Sequence, residues 1–311
     1  MSRRRKALTS SITATVDLDR GDLVEVELGP FTDAGDTTAD YDGVPIVVLG
    51  GIPGENVVVE ITGRWRDQFT GTVVGVRNPS QERVPASCPY YMRCTGCQLQ
   101  HVHYDTQLQL KRERVRDALH AYESLRDVQV DPTLAAPAQF GYRNHARFTI
   151  RKSGPVGFVN RHTRRFVQVD ACLLMNDHIN SVLQRVQGNV PNMTQMSVRA
   201  GTRTGDMLIQ PRLSNPNLGL ESGQRFVEED VLGRRYRVAG SSFFQVNSAQ
   251  AERMIQLVRD RSRLDGRQVF VDAYAGVGMF AISLAPDCQR VIAIEESSSA
   301  IEDAMRWSIW R

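Results

Sequence analysis

Short alternations of apolar and polar residues fill the first quarter of the chain. Glycine, proline and aspartate separate the alternating runs, which occupy residues 23–28, 46–49, 56–62 and 71–76. A period of two is typical of strands with one buried face. Strands this short and closely spaced predict a small antiparallel barrel over residues 17–80, followed by a proline-containing linker.

The middle of the chain mixes helical and strand patterns. Residues 104–122 lack glycine and proline and carry apolar residues at helical spacing with basic residues between them. This pattern predicts one amphipathic helix, which we expect to pack on the C-terminal domain. The rest of residues 81–238 is typical of β-rich α/β sequence, with strands predicted near 146–151, 166–169, 195–200 and 207–210 and a helix near 176–186.

The last segment, residues 239–311, has the pattern that opens a doubly wound parallel sheet. Its predicted elements are helix 249–262, strand 269–272, helix 277–285, strand 291–295 and a final helix. Two parallel strands are a poor independent fold, because such strands need cover on both faces and neighbours on both edges. We therefore predict an α/β plus all-β protein in which the nucleotide-binding domain is incomplete.

The predicted organisation is a basic tail and three domains. The tail spans residues 1–16, the OB-like barrel 17–80, the central α/β domain 81–238 and the partial Rossmann-like domain 239–311. With 311 residues, of which 41% are hydrophobic, the chain is long enough for several cores. Because no apolar run has the length of a membrane span or follows the N-terminus as a signal core, we expect a cytoplasmic protein without membrane contact.

Charge is distributed unevenly, although the formal total is only +3. Residues 17–60 have a net charge of −10, whereas residues 140–240 have a net charge of +8. The basic stretch is either a surface for phosphates or a solvated face.

The sharpest pattern is a group of cysteines. Cys88, Cys94 and Cys97 lie within ten residues, and Cys172 follows much later. Five cysteines are too few for a disulfide framework in a chain of this size. Four thiolates predict a zinc ion or an iron–sulfur cluster, and the alternative is four small buried side chains. Spacing alone does not choose the metal, although zinc ribbons use two tight pairs.

A second pattern lies at the end of the strand 269–272. Gly276 and Gly278 let the backbone approach a ligand closely, and the carboxylates of Asp272 and Glu295 can accept hydrogen bonds from ribose hydroxyls. No third glycine stands at the dinucleotide spacing, which favours S-adenosylmethionine over NAD. An ordinary tight turn is the alternative.

The segment 241–247, Ser-Ser-Phe-Phe-Gln-Val-Asn, precedes the helix that leads into this domain. An exposed Phe244 can stack on a base, and Gln245 can bond a ligand edge. Two adjacent phenylalanines also occur commonly in a core.

Together these segments resemble the RNA uracil-5-methyltransferases that carry a TRAM domain and a 4Fe-4S cluster. The resemblance rests on the four cysteines with Gly96 and residues 98–101, on residues 141–144 and 157–158, and on residues 243–247. It implies a 4Fe-4S cluster on the cysteines rather than zinc, a TRAM fold for the barrel, and contacts to S-adenosylmethionine by Gln245, Tyr274, Gly276 and Glu295. Asp272 is expected to support the loop.

The family's reaction needs groups that this sequence does not show. A cysteine thiolate adds to C6 of uridine, C5 then attacks the methyl group, and a base removes the C5 proton. The family's nucleophile and base belong to later motifs, and Cys288 is far from their position. We therefore expect a truncated chain that is inactive on its own, with no catalytic residue to assign.

RNA is the expected partner, ribosomal or transfer, of a monomeric protein. Because the barrel is acidic, with only Arg64, Arg66 and Arg77 as phosphate contacts, we place the RNA surface on the central domain. Its predicted contacts are Phe244 and the arginines Arg143, Arg147, Arg161, Arg164 and Arg165. The alternative functions are a non-catalytic iron–sulfur RNA-binding protein and a zinc-containing RNA-binding module.

Overall fold

The computed structural model describes residues 18–65 and 68–306, and the chain divides into two compact units. The first unit runs to residue 133 and includes 159–165, and the second comprises 134–158 and the residues from 166 onward. The predicted basic tail, Arg66 and the last five residues lie outside the described part. The domain boundaries at residues 80 and 238 stay predictions.

The first unit contains a five-stranded, barrel-like sheet. Strand alternation buries one face, as in β1, where Val24 and Val26 are buried between exposed neighbours. The strand order is β1-β4-β5-β3-β2, and every pairing is antiparallel except β3 with β5, where the expectation of a purely antiparallel unit is wrong. The strands are β1 (Leu23–Glu27), β2 (Thr37–Tyr41), β3 (Val44–Leu49), β4 (Asn56–Trp65) and β5 (Gln68–Val76).

A buried ion pair ties the linker to this sheet. The carboxylate of Glu55 accepts hydrogen bonds from the N–H groups of Ile52 (2.9 Å) and Ser80 (3.0 Å) and from Nε of Arg83 (2.6 Å). Burial alone would raise the pKa of Glu55, but these hydrogen bonds hold it below its ordinary value. The linker leads into the predicted helix, α1 (Tyr104–His120), which buries none of its residues.

A second five-stranded sheet belongs almost wholly to the second unit. Its order is β10-β9-β6-β7-β8, and helix α2 contacts β9 through a stripe of buried aliphatic residues that includes Ile179 and Leu183. Asn176 caps this helix by accepting a hydrogen bond from the Ile179 N–H. The elements are β6 (His145–Ile150), β7 (Val156–Val159), β8 (Phe166–Gln168), α2 (Asp177–Val186), β9 (Gln195–Ala200) and β10 (Met207–Gln210).

The C-terminal part joins an antiparallel hairpin to a parallel strand pair. The parallel pair is β13 with β14, connected through α4, as the sequence predicts. Tyr236 of the hairpin, Phe244, Ile255 and Leu284 share one buried cluster. The elements are β11 (Phe226–Val231), β12 (Arg234–Ala239), α3 (Ser248–Ser262), β13 (Val269–Asp272), α4 (Met279–Leu284), β14 (Arg290–Ala293) and α5 (Ser298–Met305).

The mixed α/β fold class is confirmed at this level. Among the helices of the described residues, none has both the length and the apolar character needed to cross a bilayer. Four of the described strands escape the sequence pattern, namely β2, β7, β11 and β12.

Replacing Glu55 with alanine should destabilise the first unit by about 3–5 kcal/mol, because it leaves the Arg83 guanidinium without its buried partner. Urea denaturation measures the free energy of unfolding. The matched control is Glu25→Ala, which breaks the exposed Arg77–Glu25 pair and should cost less than about 1 kcal/mol. Equal losses in the two variants would contradict the role assigned to Glu55.

Candidate functional site

The turn after β13 depends on two glycines in left-handed backbone. Gly276 has φ +56° and Gly278 has φ +81°, a backbone region that residues other than glycine rarely adopt. A Cβ atom on Gly278 would lie 2.8 Å from Cδ1 of Ile282, so the Ile282 side chain would have to shift to admit it. A Cβ atom on Gly276 would meet no atom within 4 Å. The strand end at Gly276 is therefore open to the approach of a ligand.

Glu295 joins the ends of the two parallel strands. Its Oε2 accepts a hydrogen bond from the Gly276 N–H (2.8 Å), and its Oε1 accepts one from the Ser297 N–H (2.8 Å). The hydrogen bonds from Ser297 and Gly276 lower the pKa of Glu295. The carboxylate is therefore ionised at neutral pH, and each oxygen keeps a lone pair for a further donor.

Asp272 has a different environment at the end of β13. Its Oδ2 accepts a hydrogen bond from the Ala281 N–H (3.1 Å) in α4. Burial raises the pKa of Asp272, and the nearby Glu295 adds to that shift. The contact with α4 supports the expectation that Asp272 holds the loop rather than the ligand.

Gln245 lies on the segment between β12 and α3. The segment is bonded to the start of β6, since the Asn144 side chain donates to the Gln245 carbonyl (3.0 Å) and the Asn144 N–H donates to the Val246 carbonyl (3.0 Å). The side chain of Gln245 is half-buried. Tyr274, on the turn after β13, is 94% exposed. The sequence did not predict that Asn144 bonds the segment that carries Gln245.

Phe244 is buried, and the expectation of an exposed ring is wrong. Only 4% of Phe244 is exposed, because its ring packs against Tyr236 with the centroids 6.1 Å apart. The neighbouring Phe243 is 72% exposed. Two adjacent side chains on an extended segment point to opposite sides, so the pattern could have assigned one ring to each environment.

The five predicted RNA-contacting arginines have different surroundings. In the second unit, Arg143 Nε donates to the His145 carbonyl (3.3 Å), and exposed Arg147 bonds Oε1 of Gln195 (2.8 Å). In the first unit, Arg164 and Arg165 are exposed.

Arg161 requires a correction. Its Nη2 lies 2.6 Å from both carboxylate oxygens of Asp36, a residue that is almost fully buried. The guanidinium is therefore occupied within the fold rather than open to a phosphate.

The four predicted cluster ligands are divided between the units. Cys88, Cys94 and Cys97 belong to the first unit and Cys172 to the second, and all four are partly exposed. Within residues 18–65 and 68–306, no group of three or more cysteine, histidine, aspartate or glutamate side chains stands close enough to hold a metal ion. The described residues therefore identify no ligand set, and the cluster stays a prediction.

Cys288 has the environment of a structural thiol. Its Sγ donates to the Leu284 carbonyl (3.3 Å), at the end of α4. Burial, together with the negative charge of Asp287, raises the pKa of the Cys288 thiol. A nucleophilic cysteine needs the opposite shift, because the thiolate is the reactive form.

Comparison with known proteins agrees with this geometry. Residues 220–309, which contain the strand-end loop and Gln245, match the family model described as tRNA (uracil-5-)-methyltransferase. An uncharacterized RNA methyltransferase of Bacillus cereus is 26% identical, over 95% of this chain and 76% of the relative. An uncharacterized RNA methyltransferase of Thermosynechococcus vestitus is 28% identical, over 92% of this chain and 75% of the relative.

A solved structure shares the fold. The tRNA (uracil-54, C5)-methyltransferase of Pyrococcus abyssi, in complex with S-adenosyl-L-homocysteine, is 24% identical with a TM-score of 0.67. The match covers 90% of this chain and 75% of that one. Residues 220–309 therefore match the tRNA (uracil-5-)-methyltransferase family model, and the chain as a whole is similar to RNA methyltransferases.

Proposed function

We propose that the protein binds S-adenosylmethionine and serves the methylation of uridine C5 in transfer or ribosomal RNA. The observation that carries the proposal is the bond between the Glu295 carboxylate and the Gly276 N–H, which places an ionised acceptor beside an open glycine turn. The solved structure with the same fold is that of a tRNA (uracil-54, C5)-methyltransferase, and it contains S-adenosyl-L-homocysteine. Transfer RNA is accordingly the first substrate to test.

Each residue of the proposed cofactor site has a distinct task. Glu295 accepts hydrogen bonds from ribose hydroxyls, while Gly276 and Gly278 allow the backbone to lie against the ligand. Gln245 bonds a polar edge of the cofactor, and Tyr274 offers an exposed ring to cover it. When bound, S-adenosylmethionine supplies an electrophilic methyl group.

In this proposal RNA phosphates are contacted by Arg143 and Arg147 in the second unit and by Arg164 and Arg165 in the first unit. Phosphate contacts by such arginines make binding strongly dependent on salt. The exposed ring of Phe243, two residues before Gln245 in the sequence, is the stacking residue in place of Phe244.

Methyl transfer to C5 also needs a thiolate and a base. Four cysteines are assigned to the proposed cluster, and the raised pKa of Cys288 makes it a poor nucleophile. We therefore infer that these 311 residues bind cofactor and RNA without completing the reaction. The alternative function, a non-catalytic iron–sulfur RNA-binding protein, is favoured by the same environment of Cys288.

Further parts of the proposal concern the first unit and the whole molecule. The strand order β1-β4-β5-β3-β2, with β3 parallel to β5, supports an OB-like TRAM domain. The 4Fe-4S cluster on Cys88, Cys94, Cys97 and Cys172 rests on the resemblance to the cluster-bearing methyltransferases, since the cysteine spacing alone does not choose the metal. We also propose that the protein is a monomer and that it is located in the cytoplasm.

Replacing Glu295 with glutamine should weaken binding of S-adenosylhomocysteine by about 10- to 100-fold, because a hydrogen bond to a charged acceptor contributes about 1.5–3 kcal/mol. Isothermal titration calorimetry measures the dissociation constant. The control is Glu296→Gln, an exposed neighbour, which should leave binding within about twofold of wild type. Unchanged binding in the Glu295 variant would refute the proposed cofactor site.

Incubation with methyl-labelled S-adenosylmethionine and uridine-containing tRNA tests the reaction. We expect the RNA to bind, with an affinity that falls steeply between 50 and 200 mM salt, and no label to reach uridine C5. Label at C5 would show that the assignment of Cys288 and the absence of a nucleophile are wrong.

Iron and acid-labile sulfide analysis of anaerobically purified protein tests the cluster. We expect about four iron atoms per chain, with loss of iron and a lower melting temperature in Cys94→Ala, because metal binding contributes to folding. Cys288→Ala should keep its iron. A wild-type protein with zinc alone, or a Cys94 variant that loses iron yet melts unchanged, would contradict this part of the proposal.

A further inference from the structure

The backbone around the segment 243–247 is bonded to a group of buried polar side chains that come from β9, β11 and the residue before β6. Asn144 in front of β6, Arg199 of β9 and Glu229 of β11 are all almost fully buried, and each belongs to the second unit. Burying such groups is costly unless each is hydrogen-bonded, so their arrangement calls for a physical reason.

Asn144 is the centre of this group. Its Nδ2 lies within hydrogen-bond distance of three acceptors: the Gln245 carbonyl (3.0 Å), Oγ of Ser248 (3.0 Å) and Oε2 of Glu229 (3.1 Å). Two amide hydrogens serve three acceptors, so one of them is shared. All three bonds come from the nitrogen of the side-chain amide, so they fix the orientation of the Asn144 amide group.

Glu229 holds Asn144 in that orientation. Its carboxylate accepts from the Thr202 N–H (3.0 Å) as well as from Asn144. Arg199 lies near Glu229 and donates from Nη2 to the Ser242 carbonyl (3.2 Å). Ser242, directly before the segment, and Gln245 within it are thus both bonded to this buried group of side chains.

We propose that Asn144, supported by Glu229, is a positioning residue that sets where Gln245 stands for the cofactor. The inference rests on the proposed function, in which Gln245 bonds S-adenosylmethionine. Asn144 acts only through the backbone of the segment, since its bonds go to main-chain carbonyls of Gln245 and Val246 and to side chains beneath them. The buried ring of Phe244 fixes the same segment from its apolar side.

The decisive variant is Asn144→Asp, which keeps the shape of the side chain and removes both side-chain N–H donors, while the backbone N–H that bonds Val246 remains. A matched control is Asn176→Asp, another buried asparagine, whose cap of α2 needs only the oxygen that aspartate also provides. Amide hydrogen exchange read by mass spectrometry reports on residues 243–247, and calorimetry with S-adenosylhomocysteine reports on the site.

We expect exchange in residues 243–247 to become at least about tenfold faster in Asn144→Asp and to stay unchanged in Asn176→Asp. The dissociation constant for S-adenosylhomocysteine should rise about tenfold in the first variant alone. In a Gln245→Ala background the same substitution should add less than about twofold, because residues that act through one another are not additive.

Unchanged exchange in the segment, or a loss of affinity that is additive with Gln245→Ala, would overturn the proposal. If wild-type protein failed to bind S-adenosylhomocysteine while the exchange difference persisted, the proposed function would fail and the positioning of the segment would stand. Should Asn144→Asp not fold, Ser248→Ala removes one partner of Asn144 and should accelerate the same exchange to a smaller degree.

Discussion

The parallel pairing of β13 with β14 is the constraint on which the proposed site depends. Asp272 pairs with Ala293, so the two strands end side by side and their following loops meet. The Ile294 N–H donates to the Asp272 carbonyl (2.8 Å), and the Ala275 N–H donates to the Ile294 carbonyl (3.0 Å). Glu295 then accepts from Gly276. Without this register, the acidic side chain and the glycine turn would be unrelated features of the sequence.

Buried polar groups also bond the helix after β14 to the segment that precedes α3. Asp303 of α5 is buried, and its Oδ2 accepts from the Ala239 N–H (2.7 Å) and from Oγ of Ser242 (3.0 Å). The helix that follows Glu295 is thereby bonded to the beginning of the segment that carries Gln245. Asn144 bonds the other end. Elements far apart in the sequence therefore converge on one short stretch of backbone.

Most elements could be predicted from residue patterns, because alternation and helical spacing are local properties. The strand β2, Thr-Thr-Ala-Asp-Tyr, lacks a run of large apolar residues and gains its place only by pairing with β3. Phe244 and Arg161 show a different limit. Their types suggest an RNA contact, whereas burial against Tyr236 and pairing with Asp36 are decided by residues distant in the chain.

The motifs predicted a resemblance to RNA uracil-5-methyltransferases, and residues 220–309 match the family model described as tRNA (uracil-5-)-methyltransferase. Strand-end chemistry predicted Gly276 and Glu295 as site residues but not the bond between them, and the positioning by Asn144 had no sequence signal beyond a motif. A cysteine pattern, in turn, gives the order and spacing of ligands in the sequence but not the distances between sulfur atoms. Direct metal analysis is therefore needed to test the cluster.

The most direct test of the central claim is a crystal structure of the protein with S-adenosylhomocysteine. We expect ribose hydroxyl oxygens at hydrogen-bond distance, about 2.6–3.2 Å, from the Glu295 carboxylate, with the ligand lying against the Gly276 turn. A ligand bound away from the ends of β13 and β14, with Glu295 facing solvent, would contradict it.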